Sequence, residues 1–207
     1  MFQYIRTILF LLVFLTISKF DVYGQTYNEY EIYSTIINDK EINWTNKNTI
    51  LVIRNVKLND DSREFLEELD SDPNMVLPFS YFDDESQKKY LTDQNYQDAL
   101  LGLLKTSTQK IKIKPFVDST FNLKPINKRK FNSFFKRDID KGWGQIDKKY
   151  QSNWVVEFSK VSFSGNYAAV YYGYHCGGLC GSGQLLVLEK KESAKWVVIS
   201  KINLWMS

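Results

Sequence analysis

Apolar positions along the chain follow two different rhythms, and the change comes near Tyr150. Before it, helical spacing dominates. Thr26 with Glu29 three residues on has the form of a capping box, and Tyr30, Tyr33, Ile36 and Ile37 then share one helical face. Thr49 to Val56 (TILVIRNV) is a short β-branched run bounded by polar residues, so it predicts a strand. Asn59-Asp60-Asp61 opens a helix with acids in its first turn and Phe65, Leu66 and Leu69 on its apolar side. Asp70 to Asp84 holds two prolines and no period, which predicts a loop. Helical spacing returns from Asp93 to Thr106 with Tyr96, Leu100, Leu103 and Leu104. Phe131, Phe134, Phe135 and Ile139, then Trp143, Ile146 and Tyr150, predict two further helices broken near Gly142.

After Tyr150 the runs turn β-rich: Trp154 to Phe163, Tyr167 to Tyr174, Gln184 to Lys191 and Trp196 to Leu204. Ser164-Gly165-Asn166 and Glu192 to Lys195 are short enough to join antiparallel neighbours. In the first run Val156 and Phe158 have one parity and Val161 and Phe163 the other, which a β-bulge near Ser159-Lys160 would reconcile. Segments such as LLVL and WVVI are apolar on both faces, so the middle of the sheet should be covered on both sides. The expected fold class is α+β: N-terminal helices with one short strand, then a four-stranded antiparallel meander packed against helices.

Residues 1–24 change how much chain must fold. Arg6 precedes the ten-residue apolar run Ile8 to Ile17, too short to span a bilayer that needs about 20 residues. Val22-Tyr23-Gly24 suits cleavage before Gln25, so residues 1–24 read as a signal peptide and 25–207 as one exported domain. The expected location is periplasmic or extracellular, where disulfides persist, with no membrane span in the mature chain. Without residues 1–24, 25 Lys+Arg face 23 Asp+Glu, a net charge of +2 that gives no argument for nucleic acid. That total hides two blocks. Asn59 to Asp98 carries twelve acids and three bases, and Lys105 to Lys141 eleven bases and three acids. The basic block suits an anionic envelope polymer or a protein partner; alternatively the blocks face one another or lie on separate solvated faces.

The densest constellation is Tyr174-His175-Cys176-Gly177-Gly178-Leu179-Cys180-Gly181-Ser182-Gly183, with both cysteines and the chain's one histidine. A phosphate loop would need Lys and a hydroxyl where Gln184 and Leu185 stand. A serine elbow would need glycines where Cys180 and Gln184 flank Ser182. Structural zinc usually takes four His or Cys ligands, and His175, Cys176 and Cys180 are three. Adjacent strand residues point to opposite faces, which also sets His175 against pairing with Cys176 as base and nucleophile. The spacing favours a Cys176–Cys180 disulfide, with Gly177-Gly178 supplying the turn-back. No metal or cofactor is expected. Asp70-Ser71-Asp72 begins like a calcium loop, but Met75 stands where glycine is required.

The run Phe131 to Ser207, with CGGLCGSG and then LLVLEKKESAKWVV, resembles a block in a group of exported bacterial proteins of unknown function. That resemblance implies an envelope or secreted location and a compact α+β unit, and it carries no activity. The expected function is therefore a non-catalytic binding or interaction domain. Its candidate ligand residues are His175, Gly177, Gly178, Ser182, Trp154 and Tyr174. The competing expectation is a hydrolase using acids such as Asp83-Asp84-Glu85, or a Cys/His site in residues 175–183.

Overall fold

The computed structural model describes residues 29–39, 49–54, 58, 60–72, 83–106, 109, 113, 121–136 and 138–207. Residues 1–24, Thr26 and residues 73–82 of the expected Asp70 to Asp84 loop lie outside that set; the ends of that expected loop fall in helices, Asp70 and Ser71 at the end of one and Asp84 at the start of the next. The described elements are α1 (29–37), β1 (Thr49–Arg54), α2 (Asp60–Ser71), α3 (Asp84–Thr92), α4 (Gln94–Thr106), β2 (Asn122–Asn127), α5 (Lys128–Phe134) and α6 (Ile139–Tyr150). They continue as β3 (Val155–Phe158), β4 (Ser162–Ser164), β5 (Tyr167–Gly177), β6 (Cys180–Lys190) and β7 (Trp196–Met206). The fold class is α+β, as the sequence predicts.

All seven strands join one sheet in the order β2-β1-β3-β5-β6-β7, with β4 beside β5. The sheet is mixed: β1 runs parallel to both β2 and β3, and the later pairings are antiparallel. The expected C-terminal meander is thus only part of it, because the first half supplies two strands to the same sheet. Ile50, Leu51, Val52 and Ile53 are all buried, so β1 has an apolar residue on each face at every step. Such a strand belongs inside a sheet, not at its rim.

Two layers cover the sheet. On one face α1 lays Ile32, Tyr33, Ile36 and Ile37 against Ile50, Val52, Val156, Phe158, Val170 and Leu186. On the other, α2 and α4 place Phe65, Leu66, Leu69, Leu100 and Leu103 over Tyr171, Leu185, Val187 and Ile202. Beside them α5 and α6 bring Phe131, Phe134, Phe135, Trp143 and Ile146 over Leu51, Ile53, Ile126 and Val155. The break between α5 and α6 falls at 135–138, not near Gly142. Asp138 caps α6 by accepting from the Lys141 amide at 3.0 Å, and Gly142 lies inside that helix under the Phe135 ring.

The first β-rich run is interrupted where its parity changes. Phe158 pairs with Tyr172 and Ser162 with Ala169, so four steps on one strand match three on β5. One extra residue is accommodated, and Val156, Phe158, Val161 and Phe163 all reach the α1-side core. Ser159 carries the break. Its amide donates to Tyr171 O at 2.9 Å, and its hydroxyl accepts from the Tyr171 amide at 2.8 Å. The Tyr33 hydroxyl ties α1 to the same point, donating to Ser159 O at 3.0 Å.

Candidate functional site

Alternation along β5 decides which residues of the glycine-cysteine segment can act together. His175 shares its face with Tyr171, whereas Tyr174 and Cys176 pack with the α1-side core. Trp154 stands 5.8 Å from the Tyr174 ring on that α1 side. Ser182, paired in register with Tyr174, is buried. The structure therefore groups Trp154 and Tyr174 and sets His175 on the opposite face. Gly177, with φ +151°, supplies the turn-back at the hairpin tip. Cys176 and Cys180 lie at disulfide distance, with Cα atoms 5.1 Å apart.

On its own face His175 is the centre of a polar and aromatic cluster. Its Nε2 lies 3.2 Å from Glu157 Oε1, and Lys128 Nζ lies 3.7 Å from Glu157 Oε2. Burial alone would raise the Glu157 pKa. The His175 hydrogen bond and the Lys128 charge outweigh it and hold the carboxyl below its ordinary range. The Trp205 indole stacks on the imidazole at 5.3 Å and 24°, and its Nε1 donates to the Tyr171 hydroxyl at 3.2 Å. Burial, and then the Glu157 charge, push the Tyr171 phenol well up, so it stays protonated.

Glycines make this arrangement possible. A Cβ on Gly183 would collide with Trp205 Nε1, and one on Gly181 would stand 3.3 Å from Trp205 Cζ3. A Cβ on Gly173 would meet the Tyr171 hydroxyl at 2.9 Å. Gly173 and Gly183 are direct cross-strand partners, as are His175 and Gly181. The indole thus rests on a strip of bare backbone, with an aromatic cover in place of missing side chains. On one flank stands α5, whose Phe131 ring is 6.3 Å from the imidazole. On the other is the start of α2, whose Asp61 adds to the field at Tyr171.

The two charge blocks flank the same strip. The acidic block forms α2, α3 and the start of α4, and the basic block includes α5 and the first residues of α6. Their ion pairs run within each block or to the sheet: Arg63 with Asp60 and Glu67, Lys89 with Glu85 and Glu189, Lys141 with Asp138, and Lys128 with Glu157. Arg129, Lys130 and Lys136 are exposed. Asp83, from the acidic triplet, caps α3 by accepting from the Ser86 amide at 2.7 Å. Among the described residues no group of three or more His, Cys, Asp and Glu side chains is placed to hold a metal ion.

No protein-family model, curated protein or solved structure matches the chain. Among the described residues no helix is long and apolar enough to cross a membrane.

Sequence reasoning missed Glu157 and Trp205. A signal existed for each. Glu157 is the one charge inside the apolar run VVEF, and Gly181 and Gly183 share a parity that leaves one face of β6 bare.

Proposed function

We propose that the chain is an exported, non-catalytic binding domain that engages an anionic envelope polymer through α5, α6 and the adjoining His175–Trp205 strip. The observation that carries this reading is the join between a basic helical surface and an aromatic platform. From Lys124 to Lys149 the described residues hold eight bases and three acids. The helix that carries Arg129 and Lys130 reaches the strip through Phe131, 6.3 Å from the imidazole, and Lys128, 3.7 Å from Glu157. Basic side chains attract a polyanion at a distance, and preset rings add contact area at little entropic cost. Export is supported by the pattern of residues 1–24. The resemblance of residues 131–207 to exported bacterial proteins points the same way. A disulfide at Cys176–Cys180 suits that compartment and would fix the hairpin tip beside the platform.

Fluorescence titration of the chain with heparin and with inorganic polyphosphate tests the proposal, with dextran as the neutral probe. Both polyanions should change the tryptophan emission in a saturable, salt-sensitive way, and dextran should not. Arg129→Glu combined with Lys130→Glu should weaken the polyanions about tenfold or more, since both side chains are exposed. Unchanged affinity in the double variant, or equal binding of dextran, would overturn it.

A further inference from the structure

At the other end of β5 from His175, a cleft of about 760 Å³ opens between α4, β4 and the strand break. That volume is in the range of small-molecule sites. Its floor and walls are unlike the His175 strip. Leu101, Leu104, Val161 and Phe163 give it an apolar middle, and ionisable groups stand around it. Among the described lining residues those groups are Glu29, Asp70, Asp98, Lys105 and Lys160, three carboxylates and two ammonium groups.

Glu29 is the group that matters most, because it is 8% exposed. The Lys160 ammonium donates to Gln109 Oε1 at 2.6 Å and acts on Glu29 through its charge. The Val161 amide also bonds to Glu29. These two partners do not repay the desolvation of the carboxylate, and burial leaves its pKa raised. A buried carboxylate in that condition gains from a further cationic donor. The close approach of α4 to β4 fixes the mouth: a Cβ on Gly102 would collide with Ser162 Oγ, so no side chain fits between helix and strand there.

We propose that this cleft binds a small organic amine, with its ammonium group on Glu29 and its apolar body against Leu101 and Phe163. Charge-assisted hydrogen bonds to a desolvated carboxylate supply the affinity, and the apolar middle rejects fully hydrated inorganic cations. The site is distinct from the surface assigned to the polyanion and does not depend on it.

The test uses phenethylamine as the probe and 2-phenylethanol as its neutral counterpart, read by thermal unfolding and by calorimetric titration of the full mature chain. Phenethylamine should raise the unfolding temperature with dose and the alcohol should not. Glu29→Gln keeps the shape of the side chain and removes its charge, and it should weaken the amine about tenfold or more. Unfolding without ligand shows whether that variant folds. If it does not, Lys160→Met serves instead; it removes the competing cation and should tighten the amine. Absence of any amine-dependent shift in the wild-type chain, or equal effects of amine and alcohol, would overturn the proposal. So would unchanged amine affinity in a folded Glu29→Gln variant.

Discussion

Replacing Gly183 by alanine probes the seat of Trp205 directly. Gly183 lies in β6 where the β6–β7 register shifts, and its φ is not positive, so the cost of an added methyl comes from space. The added methyl would sit where the indole Nε1 now lies, and the ring must lift off β6. Overpacking of this kind costs about 1–3 kcal/mol. Loss of the Trp205–Tyr171 hydrogen bond adds about 1 kcal/mol. Removing a glycine from a strand interior returns about 0.5–1 kcal/mol. The net is a destabilisation of about 2 kcal/mol. For a domain of this size that lowers the unfolding temperature by about 4–8 °C. Thermal unfolding followed by circular dichroism reads it, with tryptophan emission reporting the displaced ring. Two controls isolate the cause. Gly144→Ala has open space around its Cβ in α6 and should stabilise by about 0.5–1 kcal/mol. In a Trp205→Ala background, Gly183→Ala should cost nothing, because the colliding ring is gone. A Gly183→Ala variant as stable as the wild type, or equally harmful with and without Trp205, would refute this account of the strip.

Three further outcomes follow from the same geometry. Ser159→Ala removes the acceptor of the buried Tyr171 amide, so stability should fall by about 1–3 kcal/mol and that amide should exchange faster; unchanged Tyr171 exchange would contradict this role. Glu157 has a folded pKa below its ordinary value, so its contribution is present above about pH 4.5 and is lost as pH falls through the folded value. Glu157→Gln should therefore flatten the acid limb of the stability–pH curve, and an identical limb in both proteins would exclude the linkage. Replacing Cys176 and Cys180 by serine should cost about 2 kcal/mol or less, because the closed loop is short. Hydrogen exchange should rise at Gly177 to Gly181 and stay unchanged in β1; a uniform rise would mean that the tip supports the whole fold.

Much of the architecture was legible wherever a local rule and the tertiary packing agree. The run TILVIR is apolar at every step and became an interior strand. The parity change around Ser159 read correctly as one extra residue, because a sheet face tolerates no other reconciliation. β2 was missed because NLKPIN contains Pro125 and two asparagines. The sheet order explains it: β2 is at the edge, where one side needs no ladder donor. α3 was missed because DESQKKYLT has almost no apolar face, burying only Ser86 and Tyr90. The cluster around His175 was half legible. The sequence drew attention to His175 through its neighbours Cys176 and Gly177, yet pleating separates it from Tyr174 and Cys176. Its true companions, Glu157 and Trp205, come from strands 18 and 30 residues away in the chain, and only pairing in the sheet brings them together.

The central claim is that an anionic polymer meets the chain at the strip where His175 lies beside α5 and Trp205 stacks on its ring. The chain has one histidine, so its imidazole gives a single set of ring resonances. Titrating the protein with polyphosphate and following those resonances tests the claim most directly. The account predicts a saturable shift of the His175 ring signals, absent with dextran and reduced in the Arg129→Glu, Lys130→Glu variant. Polyphosphate binding that leaves the His175 signals unmoved would contradict it.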